Sequence, residues 1–381
     1  MSWPFSKKDT RTVVVIDIRT SSISAGYVIL KEGAQPIIIH TIQYPVDPHA
    51  TEPVQEALPR TLETVLTALI QSGSQKLSEA GYSADTDHVL VTVSSPWQRS
   101  QIATVRKDEE KPFTFSKNLL EDMTRDTHKV TPGRKVVSQL VLSTFLNGYE
   151  TQNPFGREAK TVEAITLSTD IDEAIYDKIH EVTRKAFHHT HIDIYAYLPE
   201  LYAALKDVAS LNRDYLVFDI GADVSDIVLV KHGLLISSAV HMSGMRNILD
   251  AVHKSGLSSH NIPTNDAGVI DAARNASFGD TTQLAKTAWI EGMKITLGNI
   301  AKEEPLPRLV FVSSESAVSD FVTRLLDAPL LRSLWLSDEP LTLVPLSVSQ
   351  FTPFVAEPQR RLRLFHSTCW LFQLKKDIAN I

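Results

Sequence analysis

The chain opens its regular patterning with Thr12 to Ile16, a β-branched run that ends at Asp17. Ser21–Ser24 follows as a turn, and then come two further strand-like runs, Ala25 to Leu30 and Pro36 to Ile42. Together they predict a three-stranded antiparallel meander. Leu62, Val65, Leu66 and Leu69 then fall at i, i+3, i+4 and i+7, the apolar stripe of an amphipathic helix. Gly73 and Gly81 punctuate the stretch after it. Val89 to Val93 reads as a short buried strand, closed by Ser94, Ser95 and Pro96.

Residues 96–168 have a different texture, richer in charge, with short strands at Val136–Leu142 and Val162–Leu167 around a helical segment near Leu119–Thr127. This predicts an inserted α+β subdomain. A helix is expected over Ile171–Phe187, with Ile171, Ile175, Ile179 and Val182 on one face. A strand (Ile192–Tyr197) and a helix (Glu200–Ala209) follow. The opening pattern then restarts: Tyr215–Phe218 ends at Asp219, a tight turn leads to Ile227–Val230, and Gly233 turns into Leu234–Val240. The same strand–Asp–turn–strand unit thus recurs about 200 residues apart, at Asp17 and Asp219, which a duplicated fold explains.

Composition narrows the function classes. The 381 residues suffice for two or more domains, and a net charge of −7 argues against nucleic acid as the main partner. Cys369 is the only cysteine, so an intrachain disulfide and a cysteine-based zinc site are both excluded, which fits a reducing cytoplasm. No apolar run reaches the roughly 18 residues needed to span a bilayer, and no apolar core of a secretory signal stands near Met1.

In a duplicated fold each hairpin turn can cradle phosphate, provided its backbone N–H groups approach the anion and a strand-end carboxylate holds Mg²⁺. Asp219-Ile220-Gly221-Ala222-Asp223-Val224-Ser225-Asp226 has these parts: Gly221 frees the turn, Ser225 offers a hydroxyl, and Asp219 and Asp226 offer carboxylates. Read alone, it is equally a β-hairpin with Asp-rich turn chemistry.

Asp219–Asp226 resembles the second phosphate loop of the actin, Hsp70 and hexokinase superfamily, and Asp17-Ile18-Arg19-Thr20-Ser21 resembles the first. Asn153-Pro154-Phe155-Gly156-Arg157 followed by Val162-Glu163-Ala164 resembles the turn and strand that close the inserted subdomain, 1C, of the cell-division protein FtsA. The pilus-assembly protein PilM shares that architecture. The resemblance implies an α/β, actin-like two-lobed fold of duplicated ribonuclease-H-like lobes with an inserted 1C-like α+β subdomain. The implied division places the first lobe at 1–95 and 169–212, the insertion at 96–168, the second lobe at 213–244 and 303–381, and a reduced small subdomain, 2B, at 245–302.

The resemblance also implies ATP with Mg²⁺ as the ligand. The residues it places against the nucleotide are Asp17, Thr20, Ser21, Asp219, Gly221, Ser225, Asp226 and Gly244, with Asp17 and Asp219 facing the metal. Two departures stand out. FtsA-like first loops have glycine where this chain has Arg19, which predicts either a left-handed arginine, strained by roughly 1–2 kcal/mol, or an arginine that lends its charge to a phosphate. The adenosine-contacting stretch, glycine-rich in the superfamily, is Ser313-Ser314-Glu315-Ser316. No residue stands out to orient an attacking water, so at most weak ATPase activity is expected.

By resemblance, the function is a cytoplasmic scaffold at the inner face of the cell membrane, linking an FtsZ-type filament protein to the membrane surface or a membrane-anchored protein. Self-association through the insertion and the adjoining lobe is part of that expectation. The alternative is a PilM-like adaptor that takes the peptide of a membrane protein in a groove between subdomains. A sugar or acyl kinase of the same superfamily would need intact loops. The flanking segments have plainer readings. Met1–Lys8 mixes Trp3 and Phe5 with Lys7 and Lys8, as a membrane-resting segment or a disordered tail would. Leu362–Ile378 reads as a last core helix rather than a membrane-targeting tail, because its apolar residues surround the helical wheel. His188, His189 and His191 read as groups at a helix C-terminus, not as metal ligands.

Overall fold

The computed structural model describes residues 10–31, 34–48, 52–125, 131–188, 190–208, 213–254, 280–314, 318–336 and 339–346. Met1–Lys8, His189, residues 315–317 and the segment Leu362–Ile378 lie outside them, as do residues 255–279 of the small subdomain.

The first sheet has the order β3-β2-β1-β4-β9. Its strands are β1 (Thr10–Ile18), β2 (Ser22–Lys31), β3 (Ile37–Pro45), β4 (His88–Val93) and β9 (His191–Ala196). The first three form the antiparallel meander, and β4 and β9 add in parallel beside β1. The second sheet repeats the plan as β12-β11-β10-β13-β14. Here β10 (Tyr215–Ile220), β11 (Ser225–Lys231) and β12 (Leu234–His241) form the meander, while β13 (Leu309–Ser314) and β14 (Thr342–Pro345) add in parallel. The duplication legible at Asp17 and Asp219 is therefore a duplication of whole sheets.

Both central strands are buried on two faces, and their side chains alternate between cores. On β1, Val14, Ile16 and Ile18 join α1 (Val54–Glu79) and α3 (Glu173–Ala186), while Val13 and Val15 join the opposite face. On β10, Leu216, Phe218 and Ile220 face α5 (Arg246–Lys254), α6 (Asp280–Glu303), α7 (Ser319–Leu326) and α8 (Pro329–Arg332). The other face of that sheet, with Tyr215, Val217 and Val228, packs on Leu198, Leu201 and Leu205 of α4 (Tyr197–Val208). Since α4 follows directly from β9 of the first sheet, it ties the lobes together.

The third sheet is antiparallel, in the order β5-β8-β6-β7, from β5 (Gln98–Thr114), β6 (Arg134–Leu146), β7 (Tyr149–Glu150) and β8 (Glu158–Asp172). With α2 (Lys117–Arg125) it forms the α+β insertion.

Several expectations are corrected here. Gly73 lies inside α1, where a Cβ would meet the buried Tyr27 ring at 2.5 Å, so it marks a close approach and not a stop. Ile171 belongs to β8, and α3 begins at Glu173, with the Asp172 carboxylate accepting from the Ile175 N–H at 3.1 Å. Tyr197 starts α4 instead of ending a strand. His191 opens β9, so it is no helix terminus; α3 carries Arg184 and Lys185 in its last turn.

Candidate functional site

The ends of β1 and β10 meet where the lobes face each other, and the two are built alike. Asp17 is the penultimate residue of β1 and lies opposite Thr92 on its parallel neighbour, whose hydroxyl donates to Asp17 Oδ1 at 3.0 Å. Asp219 is the penultimate residue of β10 and lies opposite Ser313, whose hydroxyl donates to Asp219 Oδ1 at 2.7 Å. The turns that follow also correspond. The Arg19 N–H donates to the Ser22 carbonyl at 3.0 Å, and the Gly221 N–H donates to the Val224 carbonyl at 3.0 Å. Arg19 is thus the counterpart of Gly221.

That equivalence explains what Arg19 does. Its guanidinium folds back so that Nε donates to Asp17 Oδ2 at 3.2 Å, and it reaches across so that an Nη donates to Asp219 Oδ1 at 3.2 Å. The Tyr197 ring lies against it, 4.5 Å from the ring centroid to Cζ. Arg19 and both aspartates are at most 5% exposed. The positive φ angles among described non-glycine residues are at Asn147 and His232, so the expected left-handed strain at Arg19 is absent. With no phosphate present, the guanidinium pairs with two carboxylates of its own chain.

Further buried side chains extend the network. Asp226, opposite Asp219 on β11, accepts from the Ser95 hydroxyl at 2.9 Å, and Gln98 also bonds to it. Burial, and next the Asp219 charge, push the Asp226 carboxyl up to about 7. Burial likewise raises the Asp17 carboxyl, against the pull of Arg19 and Thr92, and raises the Tyr197 phenol to about 12. The neighbouring carboxylates hold Arg19 firmly protonated against its burial.

A second arginine crosses in the opposite direction. Arg246 grips Asp223 through Nε at 2.8 Å and an Nη at 3.2 Å, and it also donates to the Thr20 carbonyl at 3.2 Å. Each hairpin turn is therefore held by an arginine involving the other lobe.

Of the residues expected at a nucleotide, Asp17, Asp219 and Asp226 converge around Arg19. Thr20 meets Arg246 through its carbonyl, and Ser21 accepts the Val46 N–H through its own carbonyl at 2.9 Å. The Ser225 hydroxyl donates to the Ser243 carbonyl at 3.0 Å. Gly244 passes so close to the second turn that a Cβ would lie 2.2 Å from the Ala222 carbonyl oxygen. The next two N–H groups, of Met245 and Arg246, donate to the Gly221 and Ala222 carbonyls at 3.1 and 2.9 Å. Ser95, Gln98, Thr92, Tyr197 and Arg246 were not expected at the site, and Ser313 was expected only as the start of the adenosine-contacting stretch. A signal existed for Thr92 and Ser313, each a hydroxyl residue on a strand parallel to an Asp-bearing one. None existed for Tyr197, which depends on where α4 begins.

These residues, as placed, do not fit a Mg²⁺–phosphate group. A hydrated Mg²⁺ needs carboxylate charge and room for water, and here a guanidinium takes both. The Nη2 of Arg19 is a buried donor with no partner.

No protein-family model matches the sequence, and no curated protein matches it. Solved structures do. The chain is similar to one in a PilM–PilN type IV pilus biogenesis complex, at 14% identity over 95% of this chain and 98% of that one, with a TM-score of 0.61. A protein with actin-like ATPase fold and unknown function from Bacteroides thetaiotaomicron matches over 98% of this chain and 99% of its own, at 10% identity and a TM-score of 0.44. The chain has the actin-like fold. The duplicated sheets, the facing strand-end aspartates and the insertion between β4 and β9 are its parts here.

Proposed function

We propose that this chain is a non-catalytic adaptor that uses the actin-like fold as a binding scaffold, with its interlobe site closed by Arg19 in place of a nucleotide. The observation that carries the reading is the buried Asp17–Arg19–Asp219 bridge. An internal cation between the two strand-end carboxylates supplies the charge that a metal and phosphates would otherwise contest. Hydrolysis is then not part of the function, and the lobes are held in one arrangement by residues of the chain itself.

The partner we propose is a short peptide of a membrane-anchored protein, taken in a groove between subdomains. The likeness over nearly the whole of both chains to PilM of the PilM–PilN complex supports this choice. No helix among the described residues is long and apolar enough to cross a membrane.

The second reading is a division scaffold tied to FtsZ-type filaments. It is favoured by the Asn153–Gly156 turn, which docks on the insertion: the Gly156 N–H donates to the Phe115 carbonyl at 2.8 Å and Phe155 stacks on Phe115 at 5.4 Å.

The test is capture of the purified chain on two immobilised peptide sets, the cytoplasmic N-terminal segments of pilus membrane proteins and the C-terminal tails of FtsZ-type proteins. Saturable binding to the first and not the second supports the adaptor. Binding to the tails alone replaces it with the division scaffold, and binding to neither sinks both.

A further inference from the structure

At the opposite end of the first sheet from the interlobe network, three potential metal ligands converge. His88 opens β4, His191 opens β9, and the parallel register places them side by side. Asp193 is two residues along β9 and therefore on the same face as His191, as is Tyr195. Four residues of β4 separate His88 from Thr92, the register partner of Asp17, so the histidines stand roughly 13 Å along the strand from the interlobe end, at about 3.3 Å per residue.

The geometry is specific. His88 Nε2 lies 2.7 Å from Asp193 Oδ2, and His191 Nε2 lies 3.3 Å from Asp193 Oδ1. The imidazole rings are 4.7 Å apart, centroid to centroid, and inclined at 66°. All three ligand atoms lie within 4.8 Å of one another. Tetrahedral ligands about 2.0–2.1 Å from a zinc ion stand roughly 3.3 Å apart. Small side-chain rotations would therefore bring all three to bonding distance with the backbone unmoved. The Tyr195 phenol bonds to Asp193 and fixes the carboxylate, as an outer-shell partner does for a metal ligand.

We propose that His88, His191 and Asp193 form a Zn²⁺ site, with the fourth position taken by water. Two imidazoles and one carboxylate suit a borderline divalent ion such as zinc and suit Mg²⁺ or Ca²⁺ poorly. Each Nε2 would bind through its lone pair, so any proton it donates to Asp193 moves to Nδ1 or to solvent. The ion would clip β9, the edge strand among those described in this sheet, to β4, and so brace the strand from which α4 leaves for the other lobe. The alternative is a plain histidine–carboxylate hydrogen bond with surface chelation by any of the 13 histidines.

The experiment uses the untagged full chain, with Zn²⁺ competed against a chromophoric chelator and Co²⁺ as the spectroscopic probe. The expected result is one equivalent of Zn²⁺ and the strong visible bands of tetrahedral Co²⁺. His191→Gln, at a side chain 69% exposed and so harmless to folding, should weaken Zn²⁺ binding at least about tenfold. Asp193→Asn should do the same, while a His188→Gln/His189→Gln double variant should bind as the native chain does. Three results would each overturn the site: no stoichiometric Zn²⁺, affinity unchanged in His191→Gln and Asp193→Asn, or affinity lost in the double variant.

Discussion

Burial acts in opposite directions on the stability carried by Arg19 and by Asp226. Arg19 is paired, so removing it leaves Asp17 and Asp219 buried without a counter-ion. Arg19→Ala is expected to cost about 3–5 kcal/mol in urea unfolding. Arg19→Lys should recover little of that, because an ammonium cannot bridge both carboxylates while lying flat on Tyr197. Asp226 has no cation of its own. Its carboxyl, raised from 3.8 to about 7, keeps in the folded state a proton that the unfolded chain gives up. Its contribution is therefore best below about pH 4 and worsens as pH rises to about 7, a loss on the order of 4 kcal/mol when complete. Asp226→Asn keeps an acceptor for Ser95 and cannot ionise, so the variant should gain on the native chain between about pH 5 and pH 8. Parallel stability profiles for the two proteins would refute that assignment. The sequence made both aspartates visible, since each follows a β-branched or apolar run. It could not show that Arg19 would fold back on them, because a single turn residue carries no record of the carboxylate about 200 positions away.

Elements with a strong period were legible, and those held by partners were not. The stripe at Leu62, Val65, Leu66 and Leu69 marked α1, yet Gly73 concealed its length. Gly73→Ala raises helix propensity but sets a Cβ 2.5 Å from the Tyr27 ring, itself only 2% exposed. Overpacking should win, with a loss of about 1–3 kcal/mol of stability in urea unfolding. A stabilised variant would mean that α1 and β2 sit further apart. β5 went unread because its stretch Arg106–Lys111 is charged throughout. Its hydrogen bonds to β8 make it a strand, and a largely exposed insertion asks for little apolar alternation. The start of α4 at Tyr197 escaped notice for a similar reason: its apolar face packs on the second lobe's sheet, a contact that only the assembled fold provides.

For the molecule as a whole, the duplication was plain from two Asp-ended strands, and the actin-like plan was implied by the resemblance of the loops that follow them. What sequence alone left open was the state of the cleft. Glycine at one turn and arginine at its counterpart leave a pair of hairpins latched across the lobes by Arg19 and Arg246. On this account the scaffold is rigid without nucleotide and its regulation lies with its partners. The most direct test is calorimetry of the native chain with Mg²⁺ and ATP. The account predicts no binding heat at millimolar ATP. Micromolar binding by the native chain, abolished in Asp219→Ala, would contradict it and make the cleft a working nucleotide site.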